Sequence, residues 1–349
     1  MTGSEPTTLR VAYLPLIDCA PLVAASRLGL DLQHGVRLQL QRQASWAAVR
    51  DRLVSGEVDA AHLLGSLVYS IELGIGGPRA PMAWLLTLNQ NGQAITLANP
   101  LADALARGLP LPQVLAGLGR RAIFAQTFPT GTHALWLYYW LAAAGVDPMR
   151  DIGVMSLPPQ QMPEALAAGE IDGYCSGEPW ADAAQACGIG RRVMSSGAIW
   201  PGHPEKVLAC RRDLAALQPA LVERLSTCVL AACRWLDAEP ANRLTCAGWL
   251  AEGEVIGAPL GRLAACLDND PADPAALAFH RGGAVNLPWL SDGEWFLQQF
   301  VRWGWCSAEV AAAALVRDVH RLQSFRRAAA TLGLPVPVEA RREAALFDR

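Results

Sequence analysis

Lysine is almost absent from this chain. Lysine and arginine together number 29, and only Lys206 is lysine. It lies in Ile-Trp-Pro-Gly-His-Pro-Glu-Lys-Val-Leu, residues 199–208. Lysine is a compact point charge on a flexible stem, whereas arginine is a wide planar fork. A pocket sized for a small anion accepts the first and is overfilled by the second. Lys206 is therefore either the charge of such a pocket or a survivor on a loop.

Other absences narrow the function. No run of Lys/Arg of the kind that grips a phosphate backbone occurs, and the net charge is −3. Direct nucleic-acid binding is not expected. The nine cysteines form no C-x-x-C pair and no Cys/His cluster at zinc spacing, which argues for reduced thiols. Cys228, Cys233 and Cys246 sit in apolar helical sequence and read as small core residues. No G-x-G-x-x-G loop and no nucleophile elbow is present. A catalytic use of Cys19, Cys175, His133 or Lys206 thus lacks a supporting motif, and the expectation is a binder, not an enzyme, with no cofactor. Residues 122–146 carry no formal charge, but Gln126, Pro129, Gly131 and His133 lie among them. A buried loop and helix fits that stretch better than a membrane span. The first residues show no basic segment, no apolar leader core and no lipid-attachment cysteine. Unless a leader has been removed, this points to the cytoplasm.

With 349 residues, 52% of them hydrophobic, two lobes are the default. Leu9–Leu14 reads as a buried strand, residues 20–28 as a helix closed by Gly29, and Val36–Leu40 as a second strand. Ser45 caps a helix over 46–55 that Gly56 stops, and 59–64 returns as a strand. Strands follow at 81–87 and 94–98, separated by the amide-rich turn Asn89-Gln90-Asn91-Gly92-Gln93. Helix is expected over 100–119, a strand at 122–125, and a helix over 134–144. Phe128-Pro129-Thr130-Gly131-Thr132-His133 links those last two. A strand, a Gly/Thr loop and a helix start offer backbone N–H groups to an anion. His133 stands there as a donor or as a capping residue; if it binds as a cation, affinity falls with rising pH. After 214 the chain is mainly helical, Trp289 is a candidate exposed aromatic, and the last ~25 residues look peripheral.

An internal echo supports two similar lobes. Leu53-Val54-Ser55-Gly56-Glu57-Val58-Asp59-Ala60 matches Leu166-Ala167-Ala168-Gly169-Glu170-Ile171-Asp172-Gly173. Each is a helix end, a glycine and an acidic turn feeding a strand, a match that generic α/β punctuation also produces.

Several uncommon blocks carry a resemblance. They are Ala44-Ser45-Trp46-Ala47-Ala48-Val49-Arg50-Asp51, Asn91-Gly92-Gln93-Ala94-Ile95, Gly131-Thr132-His133 with Trp136, and His203-Pro204-Glu205-Lys206-Val207-Leu208. Asp18-Cys19-Ala20-Pro21 and Gly177-Glu178-Pro179-Trp180 fit the same pattern. Together, over roughly residues 9–325, they resemble the nitrate-binding component (NrtA-like) family of bacterial ABC transporters. The resemblance implies an α/β, two-lobed periplasmic-binding-protein-like fold of the second type. Each lobe is then a wound, mostly parallel sheet flanked by helices, with the ligand in the cleft. The expected division is 9–98 plus 211–325 for lobe 1, 99–210 for lobe 2, and a peripheral tail over 326–349.

The same resemblance implies that Trp46, Gln93, His133 and Lys206 hold nitrate, with Gly131 and Thr132 adding backbone donors. Nitrate offers only acceptor lone pairs, and these four side chains all donate. Trp46 also reads as plain core and Gln93 as a brace of its turn. Bicarbonate-binding relatives share the fold with a metal in their pocket, and a lysine in the site disfavours a neighbouring cation. The missing leader resembles the cytoplasmic nitrate/nitrite-sensor branch (NasS-type). That implies release of an ANTAR-type RNA-binding antiterminator (NasT-like) on ligand binding, without direct nucleic-acid or membrane contact. The alternative is a substrate-binding component of a nitrate or bicarbonate ABC importer.

Overall fold

The computed structural model describes residues 5–270 and 273–348. The first four residues, which bear on the leader expectation, and Arg349 lie outside them. Among the described residues, ten strands form two sheets. β1 (Thr7–Tyr13), β2 (Val36–Arg42), β3 (Ala60–Leu64), β4 (Met82–Thr87) and β10 (Lys206–Arg211) make the first, in the order β2-β1-β3-β10-β4. β5 (Gln93–Ala98), β6 (Ala122–Gln126), β7 (Ile152–Ser156), β8 (Gly173–Gly177) and β9 (Gly190–Ser195) make the second, in the order β7-β6-β8-β5-β9.

Both sheets are mixed rather than mostly parallel: in each, two pairings are parallel and two are antiparallel, because one strand is reversed. β10 runs antiparallel to β3 and β4, and β5 runs antiparallel to β8 and β9. These two are the strands by which the chain passes into the second lobe and returns. The lobe boundaries therefore differ from those expected: residues 93–98 belong to the second sheet, and 206–211 to the first. A buried strand reads the same in either direction and on either side of a crossover, so hydrophobic pattern alone misplaces both.

The echo is structural. Gly56 (φ 82°) and Gly169 (φ 72°) adopt the left-handed conformation that ends each helix. The aspartate three residues on then bonds the backbone of a parallel strand of its own lobe, β1 in one and β6 in the other. The Asp59 carboxylate accepts from Arg10 N at 2.8 Å, and that of Asp172 from Ile123 N at 2.8 Å. In return, Asp59 N donates to Arg10 O and Asp172 N to Ile123 O. An arginine braces each carboxylate, Arg10 in one lobe and Arg120 in the other.

The helical remainder packs mostly on lobe 1. The helix Pro219–Ala238 buries Leu225, Val229, Cys233 and Leu236 against it. The single helix expected over 100–119 is two, Asn99–Ala106 and Leu111–Ala116, broken at Gly108-Leu109-Pro110. Trp289 is buried, its indole N–H donating to Ala284 O at 3.0 Å. No helix among the described residues is long and apolar enough to cross a membrane. All nine cysteines are free thiols.

The tail is less peripheral than its composition implies. Leu290 N donates to Ala340 O, Arg342 pairs with the buried Asp292, and Leu346 joins the main core.

Candidate functional site

The side chains of interest follow the carboxyl ends of the strands, where open α/β sheets place ligands. Asp18 follows β1, Trp46 follows β2, His133 follows β6, and Gly177 ends β8. Gln93 and Lys206 are the first residues of the two reversed strands. Local chemistry fixes each one. The Ser45 side chain accepts from Ala48 N at 3.2 Å, so Trp46 opens its helix. Asn91 (φ 59°) and Gly92 (φ 89°) make the turn that delivers Gln93. The Asn89 side chain accepts from Lys206 N at 3.1 Å, and Lys206 O accepts from Leu88 N.

Lys206 is fully buried. Its Nζ lies 2.9 Å from Asp18 Oδ2 and 2.9 Å from Glu205 Oε1. Burial alone would lower the lysine pKa, but the two carboxylates outweigh it and raise it. Burial would likewise raise that of Asp18, yet the Lys206 ammonium and His62 hold it well below the usual carboxylate range. Both groups are therefore ionised. The ammonium is thus paired on both sides by carboxylates. Thr132 Oγ1 and Lys206 Nζ both donate to Glu205 Oε1, while Trp136 Nε1 donates to Oε2 at 2.9 Å. His62 Nε2 donates to Asp18 Oδ1 at 2.8 Å, and Leu14 N donates to its Nδ1. Lys206 occupies the point between two carboxylates that a bridging cation would take.

Around this ion cluster lie buried polar atoms with no partner among the described residues: the donors Trp46 Nε1, Gln93 Nε2 and His133 Nε2, and the acceptor Gln93 Oε1. Lys206 Nζ sits 5.6 Å from the centre of the Trp46 ring. His133 Nε2 is 3.8 Å from Glu205 Oε1. A Cβ on Gly177 would lie 3.6 Å from both Asp18 Oδ2 and Gln93 Nε2. The four side chains expected to hold the anion thus converge on one spot. Burial, reinforced by Lys206, pushes the His133 pKa down to about 3, so the ring is neutral near pH 7. Thr127 Oγ1 lies 2.5 Å from its Nδ1. With the hydroxyl donating there, the ring proton sits on Nε2, facing the cluster. Each buried donor left unmade costs about 1–3 kcal/mol. A ligand that accepts from all three recovers that cost.

Gly131 and Thr132 play supporting parts. Gly131 N already donates to Phe128 O, and a Cβ there would come within 2.8 Å of Leu64 Cδ1. Its role is close packing of the two lobes. The Thr132 hydroxyl holds Glu205. Asp18, Glu205 and Gly177 belong to the site, although sequence reasoning did not place them there. Asp18 and Glu205 each stood inside a quoted block, and a buried lysine requires such partners. Gln93 also lines a cavity of about 430 Å³ on the seam, with Glu178 and Arg192 on one side and Cys266 on the other. A cavity of about 500 Å³ in lobe 1 lies apart from these residues; Arg243 there is already bonded to Asp237 and Asn269.

Comparison with known proteins agrees with this geometry. Residues 2–251 match the NMT1-like family. The chain is 31% identical over 352 residues to the nitrate/nitrite binding protein NrtA of Synechocystis sp., spanning 95% of this chain and 78% of that protein. It belongs to the NMT1-like family, in its NrtA-type nitrate-binding group. The crystal structure of the periplasmic nitrate-binding protein NrtA from Synechocystis PCC 6803 superposes on this family member with a TM-score of 0.93 at 30% identity. The match covers 99% of this chain and 94% of that one. The bicarbonate transport ATP-binding protein CmpC of Synechococcus elongatus is 34% identical over 357 residues, but the chain spans only 53% of its length. The two-lobed fold expected from the sequence is the fold of this family.

Proposed function

We propose that this chain captures nitrate or nitrite between its lobes and acts as a cytoplasmic sensor. In this reading the occupied, closed form releases an ANTAR-type RNA-binding antiterminator (NasT-like), and the empty form retains it. One observation carries the anion reading. Buried Trp46 Nε1, Gln93 Nε2 and His133 Nε2 lack partners beside an ammonium held at Lys206. Nitrate is planar, singly charged and acceptor-only, so it complements a set of donors and gains nothing from acceptors. The net charge of −3 leaves RNA contact to a partner. A region like this chain also makes up part of an ATP-binding relative, so the fold serves beyond free-standing binders.

The mechanism requires differential affinity: nitrate prefers the closed form and the antiterminator the open one. A coupling of about 1–3 kcal/mol weakens partner binding about 5–150-fold. Size-exclusion of the two proteins with and without nitrate tests this. A complex equally stable in millimolar nitrate rejects the release mechanism.

A second reading is a substrate-binding component of a nitrate or bicarbonate importer. Gln93 Oε1 is a buried acceptor without a partner, which suits the O–H of bicarbonate. Calorimetric titration with nitrate, nitrite and bicarbonate separates these ligands.

A further inference from the structure

Residues 340–348 leave one lobe and finish on the other. At the first end, on the lobe 1 helix Leu290–Arg302, the contacts are charged and doubled. Arg341 takes both carboxylate oxygens of Glu294 at 2.7 and 2.6 Å. Arg342 takes both oxygens of Asp292 at 2.8 and 2.6 Å. Ala340 O accepts from Leu290 N, and Arg342 N donates to Ser291 Oγ at 3.0 Å. At the far end, among the described residues, the contacts fall on lobe 2 and are single bonds rather than doubled ones. Phe347 N donates to Ile199 O at 2.9 Å, Tyr139 donates its hydroxyl to Asp348 Oδ1 at 2.6 Å, and the Phe347 ring lies 6.3 Å from the Tyr139 ring. Leu346 is buried between the two ends.

The segment also bears on the Lys206 loop. The Arg342 guanidinium lies 5.7 Å from the ring centres of both Trp200 and Trp289. Trp200 in turn packs on Trp295 at 5.0 Å and on Trp136 at 6.3 Å, the residue whose indole holds Glu205. Helix 290–302 also meets lobe 2 directly, Trp295 stacking on Trp136 at 5.2 Å and Arg302 lying 5.0 Å from the Tyr139 ring centre; an opening that parts this seam requires one end of the segment to let go.

We propose that residues 340–348 are a clasp, anchored on lobe 1 by Arg341 and Arg342 and latched on lobe 2 at Tyr139 and Ile199, that favours the closed form and slows anion release. The asymmetry of its two ends assigns their roles. Bidentate Arg–carboxylate pairs are the stronger kind of contact, so they hold, and the singly bonded latch at Phe347 and Asp348 is the part that opens. This rests on the nitrate reading for its affinity readout, but the closure it describes is measurable without any anion.

The test is a chain ending at Arg342, which keeps the anchor and removes the latch. Nitrate dissociation, followed by stopped flow, is expected to quicken by about 5–150-fold, the span of ordinary coupling between sites. Small-angle scattering of the anion-free protein is expected to give a larger radius of gyration for the shortened chain. If the shortened chain does not fold, Tyr139→Phe combined with Asp348→Asn removes the same bond from the full chain and is expected to act in the same direction. Equal release rates and equal radii in folded variants overturn the clasp. If no variant, nor the full chain, takes up nitrate, the nitrate reading fails, and the anion-free radii alone decide the clasp.

Discussion

Lys206 Nζ and Asp18 Oδ2 meet at 2.9 Å, both fully buried, one from the start of a reversed strand and the other from the turn after the first strand. With Glu205 on its other side, the lysine is outnumbered by carboxylates. Attraction for an anion therefore does not come from a surplus of positive charge. It comes from proton donors that the fold leaves unpaired and that water cannot reach.

Removing the ammonium strands two buried carboxylates. Breaking a buried ion pair from one side costs about 3–5 kcal/mol. Lys206→Met is expected to lose that much stability and all measurable nitrate binding, read by urea titration and calorimetry. Unchanged stability would contradict the ionised cluster.

Trp46→Phe isolates a donor from its ring. The indole N–H has no partner among the described residues, so stability is expected to hold or rise slightly. Nitrate affinity is expected to fall by about 10–150-fold, the value of a hydrogen bond to a charged group. Full affinity in Trp46→Phe would return Trp46 to the core.

A methyl at Gly177 has room. Its neighbours would stand 3.6 Å away, an ordinary contact, yet it would occupy the gap between Asp18 and Gln93. Gly177→Ala is expected to fold with an unshifted melting temperature and to bind nitrate at least about 10-fold more weakly. Equal binding would move the ligand away from Gln93.

Acid acts through the histidines. Burial pushes His133 and His203 down to about 3 and His320 down to about 4, against an ordinary 6.5. Between those values the unfolded chain binds more protons than the folded one, so stability rises with pH. Their contribution is full above about pH 6.5 and drains as pH falls toward 4, by about 1.4 kcal/mol per pH unit for each ring. Urea midpoints at pH 7.5 and pH 5 check this; equal midpoints would refute it. Because His133 is neutral throughout, nitrate affinity is expected to be flat from pH 6 to 8.

Much of this was legible in the chain. The alternation of strand and helix gave two wound lobes, and the repeated Gly-acid turn marked the same joint in each. Trp46, Gln93, His133 and Lys206 stood in recognisable blocks. The carboxylates of Asp18 and Glu205 were passed over because an anion site argues against them until the lysine is known to be buried. Gly177 has no side chain to read. The reversed sense of β5 and β10 leaves no trace in hydrophobic pattern. The tail, rich in Arg, Ala and Glu, looks solvated because its carboxylate partners lie some fifty positions upstream.

The two reversed strands begin at Gln93 and Lys206, where the chain enters the second sheet and returns to the first. An anion gripped by both would sit at the fulcrum rather than at the rim. A few atoms there have leverage over everything beyond, since a small change in the angle between those strands swings the outer edge of each half through a much longer arc.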